Sequence, residues 1–126
     1  MIVGIGMDIV EVARIKAAMD AHKERFLRRI LTEREKEYCQ RFANPAIETA
    51  GRFAAKEAFS KAIGTGIAQG VSWRDIEVTN ELSGAPVMTV MGRAEDFANK
   101  LGANRIHVSI THTGISAGAV VILEKV

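Results

Sequence analysis

FAAKEAFSKAIGTG, Phe53 to Gly66, places an acidic residue and two lysines on one run of helix-forming residues that ends in a glycine pair. At 3.6 residues per turn, Ala50, Ala54, Glu57 and Lys61 fall within an arc of about 60°, so the charged groups rise from a floor of small side chains. Lys56 points about 100° away from Glu57 on the same wheel. Gly64 and Gly66 offer a helix stop and a backbone that a bulky group can approach closely. One reading is a solvated Glu57 to Lys61 pair at i, i+4, worth about 0.3 kcal/mol, above an ordinary glycine cap. The other is a site for a metal and a phosphate.

Working outward, the helix extends back to about Ala46, just after Asn44-Pro45, a pair suited to starting it, and forward to Ile63. At the N-terminus, Met1 to Val12 reads as a strand in which Ile2, Val3, Ile5, Ile9 and Val10 are interrupted by Gly4, Gly6 and Asp8. A carboxylate inside so apolar a run needs a partner. Asp8 either caps a turn or pairs with a lysine, or it ligates a hard cation such as magnesium, which takes one or two carboxylates and completes its shell with water and phosphate oxygens.

Between these segments, Ile15, Met19, Phe26, Leu27 and Ile30 recur at near-helical spacing, and a break is expected near His22. Thr32 followed by Glu35 has capping-box spacing for a helix running to about Phe42. Beyond Gly70, Ile76 and Val78, then Val87 and Val90, predict a hairpin joined through Asn80 to Pro86. Ala94 to Leu101 predicts a short helix closed by Gly102. Arg105 to Thr111 and Ala117 to Glu124 then predict two strands around a turn at Thr113-Gly114. With no linker, low-complexity tract or internal repeat, residues 1–126 read as a single α/β (α+β) domain, a mainly antiparallel sheet packed on the long central helix.

The 126 residues are 48% apolar, enough for one small core, and the net charge of +2 is too slight to argue for nucleic acid. Five phenylalanines, one tryptophan and one tyrosine are scattered, which gives no base-stacking platform. Cys39 is the only cysteine, so neither an intramolecular disulfide nor a cysteine zinc cluster can form, and a reducing cytoplasm fits. No stretch reaches the roughly 18 apolar residues of a membrane span, and no basic leader precedes an apolar segment. Neither Gly4-Ile-Gly6 nor Gly64-Thr-Gly66 completes a dinucleotide or Walker fingerprint.

Taken in order, IGMD at Ile5 to Asp8, an arginine-bearing first helix at Glu11 to Ile15, ILTEREKEY at Ile30 to Tyr38, FAAKEAFSKAIGTG, the Gly84-Ala85-Pro86 turn and HVSITHT at His107 to Thr113 resemble the holo-acyl-carrier-protein synthases, small 4′-phosphopantetheinyl transferases of bacterial fatty-acid biosynthesis. The likeness covers essentially the whole chain. It implies transfer of 4′-phosphopantetheine from coenzyme A to a serine hydroxyl of apo-acyl carrier protein, leaving adenosine 3′,5′-bisphosphate. It assigns Asp8 and Glu57 to a divalent metal, usually Mg2+, and implies a homotrimer with sites between subunits. Nucleic acid and membrane are not implied partners.

On this resemblance Glu57 and Lys61 are the candidate catalytic residues, Lys61 supplying fixed positive charge at the reacting phosphate. Arg52, Lys56, Lys61, Gly64 and His107 are the candidate coenzyme A contacts. Lys56 is read equally well as solvent-exposed, Arg52 as exposed or facing a neighbouring subunit, and His107 as a partly buried structural imidazole. The general base stays open between a side chain and a water held by the metal or by Glu57. Ser109 and Thr111 share a strand face with His107, but no neighbouring acid supports a Ser-His-Asp triad. Six basic residues lie between Arg14 and Arg29 against Asp20 and Glu24. This is either a solvated face or, because acyl carrier proteins are strongly acidic, a docking surface led by Arg14, Arg25 and Arg28. Many relatives carry lysine where this chain has Ala85, which puts in doubt a phosphate contact from that turn.

Overall fold

A computed structural model describes residues 1–126. The chain runs β1 (Ile2–Glu11), α1 (Val12–His22), α2 (Glu24–Ile30), α3 (Glu33–Gln40), α4 (Pro45–Ala62), a single 3-10 turn (Trp73–Asp75), β2 (Ile76–Asn80), β3 (Pro86–Val90), α5 (Gly92–Lys100), β4 (Arg105–His112) and β5 (Ser116–Glu124). The order is the one expected, and most boundaries agree within two residues.

α4 forms because Pro45 opens it and alanine is the commonest residue along its length. Ala50, Ala54, Ala55, Ala58 and Phe59 have no exposed surface and Phe53 very little, so the helix is apolar on most sides and is the axis of the core. Against it lies an antiparallel sheet in the order β1-β5-β4. Gly51 lets β4 approach, since a Cβ there would stand 3.0 Å from Ile110 Cγ2. The expected single sheet is two ladders: β2 and β3 form their own antiparallel hairpin and lie beside β4 without joining its sheet.

The contact between β1 and α4 rests on two missing side chains. A Cβ on Gly4 would sit 2.5 Å from the carbonyl oxygen of Ala62, and one on Gly6 would overlap that of Ala58. The glycines that look like interruptions of a strand are therefore the positions where the helix backbone presses onto it. Because strand side chains alternate, Asp8 faces the same way as Gly4 and Gly6, toward α4, while Ile5, Met7 and Ile9 face outward and are 65%, 71% and 74% exposed.

Two local expectations are met in detail. The break in the basic helical region falls at Lys23, a non-glycine residue at φ 46°, which separates α1 from α2. Thr32 and Glu35 form a reciprocal capping box at the start of α3, which stops at Gln40, short of Phe42.

Candidate active site

Asp8 arrives from β1, and Glu57 and Lys61 from the last turns of α4. Lys61 Nζ donates to Asp8 Oδ1 at 3.0 Å and to the Met7 carbonyl at 3.1 Å. The lysine is thus paired across elements with Asp8, and not with Glu57 one turn back. Asp8 is largely covered, with 16% of its side chain exposed, and Lys61 is half exposed. Glu57 is partly buried, and its carboxyl titrates above the usual carboxylate range. Burial is the main cause and the negative charge of Asp8 the second, with Lys61 and then Arg14 opposing. Two carboxylates therefore share a site in which the nearby lysine leaves Glu57 incompletely compensated. That donor set, two hard oxygen ligands with surplus negative charge, fits a divalent cation such as magnesium.

Arg14 belongs to this region. Its guanidinium lies 5.5 Å from the centre of the Phe53 ring and its charge reaches Glu57. Arg25 and Arg28 are exposed on α2, on the side away from buried Leu27 and Ile30. Past α4, Gly64 and Gly66 adopt φ of 83° and 66°, which favours glycine. The amides of Thr65 and Gly66 both donate to the Ser60 carbonyl, and the side where Cβ atoms would stand is open.

Lys56 requires a correction. It is fully buried, where a phosphate contact or a solvated position was expected. Its ammonium donates to Glu35 Oε1 at 2.6 Å, to the Ile30 carbonyl at 2.6 Å and to the Trp73 carbonyl at 3.1 Å. With three donors spent inside the fold, nothing remains to offer a ligand. Burial lowers its pKa and the Glu35 charge opposes that fall.

Arg52 is also buried, at 3% exposure, which corrects the exposed reading. It stacks over Tyr38 at 4.3 Å, donates to Asn80 Oδ1 at 2.5 Å and stands 3.9 Å from Glu48, while its Nε has no partner. It floors a cleft of about 190 Å³ edged by Arg34, Tyr38, Arg41 and Asn80. A second opening beside it is edged by Gly84, Pro86 and His112. Arg34, Tyr38 and Arg41 were not singled out from sequence, although their i, i+4, i+7 spacing places them on one helical face.

His107 lies on the outward face of the three-stranded sheet, away from α4. Its Nε2 is 2.9 Å from Glu124 Oε1, and this hydrogen bond holds the Glu124 carboxyl below its usual range. Ser109 and Thr111 share that exposed face; the acid on the imidazole is Glu124, remote in sequence, and neither hydroxyl is hydrogen-bonded to His107, so no triad is assembled. One chain therefore assembles Asp8, Glu57, Lys61 and Arg14, places Arg52 around the helix from them, and sends His107 to the far side of the sheet.

Fold and site together define a small α+β protein with a two-carboxylate, one-lysine centre on the end of its core helix and a separate arginine-floored cleft around that helix. Residues 4–114 match the 4′-phosphopantetheinyl transferase superfamily, and the chain belongs to that family. It is 51% identical over 124 residues, 98% of this chain and 99% of the relative, to a Koribacter versatilis protein named holo-[acyl-carrier-protein] synthase. The fold superposes on a crystal structure of the holo-[acyl-carrier-protein] synthase of Neisseria meningitidis with a TM-score of 0.90, 36% identity and coverage of 99% of this chain and 100% of that one. A holo-(acyl-carrier-protein) synthase from Bacillus anthracis, solved in complex with CoA (3′,5′-ADP), matches at a TM-score of 0.84 with 41% identity over 100% of this chain and 99% of that one.

Proposed function

We propose that this chain transfers the 4′-phosphopantetheine group of coenzyme A to a serine hydroxyl of apo-acyl carrier protein, yielding the holo form and adenosine 3′,5′-bisphosphate, in cytoplasmic fatty-acid biosynthesis. The observation that carries the reading is the meeting of Asp8, Glu57 and Lys61 at the glycine-cleared contact between β1 and α4. Asp8 and Glu57 would hold Mg2+, which supplies withdrawal of charge from phosphate oxygens.

The remaining work falls to the chain itself. Lys61 sets a fixed positive charge beside the carboxylates, where a pyrophosphate would otherwise be repelled. The open backbone at Gly64 and Gly66 leaves room for the phosphate and the pantetheine arm. In the displacement a bond forms from the serine oxygen to the phosphorus bearing pantetheine, and the bond from that phosphorus to the bridging oxygen breaks. The serine proton leaves to water at the half-exposed mouth of the site. The arginine cleft around Arg52, with an unpartnered Nε on its floor, suits further phosphate of coenzyme A.

We read the active form as a homotrimer. Ile5, Met7 and Ile9 of β1 form an exposed apolar stripe continued by Val120 and Ile122 of β5, the kind of face that a second copy covers. Association there would bring His107 and the Arg52 cleft of one subunit toward the carboxylates of another, which a lone chain keeps apart. The basic surface of α1 and α2 is assigned to the acidic carrier protein.

Intact mass spectrometry of apo-acyl carrier protein incubated with the chain and coenzyme A, with magnesium or with a chelator, tests the reading. A magnesium-dependent gain of one phosphopantetheine supports it. Phosphopantetheine released to solvent without a gain in carrier mass would make the chain a phosphohydrolase instead. No helix is long and apolar enough to cross a membrane.

A further inference from the structure

The site above leaves unused the one fully buried ion pair of the molecule. Neither Lys56 nor Glu35 has an exposed side chain, and every polar atom of both has a partner. Glu35 Oε1 accepts from Lys56 Nζ and from the Thr32 amide at 2.9 Å, and Oε2 accepts from the Val78 amide at 2.8 Å. Lys56 in turn holds the carbonyls of Ile30 and Trp73. Five separate segments meet on two side chains: the end of α2, the cap of α3, the 3-10 turn, β2 and α4.

What this pair holds in place is specific. α2 is a seven-residue helix that rests on α1 and on the 3-10 turn. Lys56 binds the last residue of α2 and the first residue of the turn beneath it, so a single ammonium on the catalytic helix fixes the helix and its support. Lys56 directly precedes Glu57 in sequence, and a rigid helix couples the two positions. Arg25 and Arg28 lie on the exposed side of α2. A satisfied buried pair is a poor source of stability relative to an apolar core, and its best-attested role is to specify one arrangement out of several.

We infer that the Lys56–Glu35 pair is a positioning device that registers the basic surface of α2 against the Asp8–Glu57 centre, so that a bound carrier protein presents its serine at that centre. The inference rests on the proposed carrier-protein function and deepens it. Lys56 and Glu35 touch neither substrate.

The test uses the full-length protein at a temperature well below the melting point of each variant. Lys56→Met removes the three tethers, and Lys56→Arg keeps the charge with a fork that cannot reproduce them. Both are measured by steady-state transfer and by hydrogen exchange. The expected result is a carrier-protein KM raised about tenfold with the coenzyme A KM within about twofold, because misplacement affects the partner that spans both surfaces. Amides of residues 24–30 lose protection while those of β5 keep theirs. Glu35→Gln, whose single oxygen keeps an acceptor for Lys56 and the Thr32 amide while the charge and the acceptor for Val78 are lost, gives an intermediate effect and guards against a Lys56 variant that fails to fold.

Arg28→Glu separates the two ideas. If it raises the carrier KM and the Lys56 and Glu35 variants do not, the positioning role is overturned while the docking surface stands. If none of them raises it, the docking reading fails and the inference fails with it. Uniform loss of protection across the chain with both KM values unchanged marks the pair as merely structural and also overturns the inference.

Discussion

Lys61 Nζ lies 3.0 Å from Asp8 Oδ1, tying the last turn of α4 to the middle of β1 beside Glu57. Asp8→Ala and Glu57→Ala each remove half of the proposed cation site; Asp8→Ala also removes the tie, and Glu57→Ala leaves it in place. Each is expected to lower magnesium-dependent transfer by about 10²-fold or more. Far-ultraviolet circular dichroism should be unchanged. Transfer that persists at the wild-type rate in either variant removes the carboxylate pair from the mechanism.

Gly6→Ala tests whether the approach of β1 to α4 builds the site. The added methyl collides with the Ala58 backbone, so strand and helix must part, at a cost of about 1–3 kcal/mol by comparison with overpacked cores. Asp8 moves away with the strand. Activity should fall further than in Gly64→Ala, whose methyl meets open space and whose cost of about 1 kcal/mol comes from the left-handed backbone at φ 83°. Thermal melts and transfer rates on the two variants check this; equal losses of activity at equal stability argue against it.

Arg52→Leu should raise the coenzyme A KM by about tenfold with a smaller effect on kcat, since the side chain floors a cleft away from the reacting carboxylates. A KM unchanged within error would return Arg52 to a packing role against Tyr38 and Asn80.

Cys39 supplies a pH prediction. Burial pushes its thiol from 9.0 up to about 11, with the Arg52 charge opposing. The folded value lies above the unfolded one, so this contribution is fully present below pH 9 and is lost as pH rises through about 11. The full amount is about 3 kcal/mol. In denaturant titrations at pH 8 and pH 10.5, the wild type should lose more stability than Cys39→Ala over the same interval. At pH 8 the native thiol should also resist a disulfide reagent that labels the unfolded chain at once. Rapid native labelling counts against the burial.

The element order was legible because strong local signals agree with the tertiary arrangement. Pro45 and the alanine run specify α4, Thr32 and Glu35 specify the start of α3, alternating Ile106, Val108 and Ile110 specify β4, and the run Val120-Val121-Ile122 specifies β5. The pairing of Asp8 with the end of α4 was half legible: a carboxylate among apolar residues demanded a partner, and lysine was one of the candidates. The helical wheel failed at Lys56 and Arg52, since it gives an angle around the axis and says nothing of what packs there. A helix enclosed on most sides buries its charged residues along with its alanines, and Glu35, visible in sequence only as a capping residue, is the group that makes burial of Lys56 tolerable. The division into two ladders was hidden because hairpin signals specify which strands pair, not which sheets merge.

The alternation of β1 carries one more consequence. Its even positions, Gly4, Gly6, Asp8 and Val10, serve the interior and the carboxylate centre, while its odd positions, Ile5, Met7 and Ile9, form the bare outer stripe. Two messages are thus written on one strand, interleaved letter by letter. A point change edits one message and spares the other, whereas deletion of a single residue ahead of Asp8 would exchange them, thrusting isoleucine against the helix backbone and turning the carboxylate to the outside. The length of this segment is therefore held as tightly as its composition.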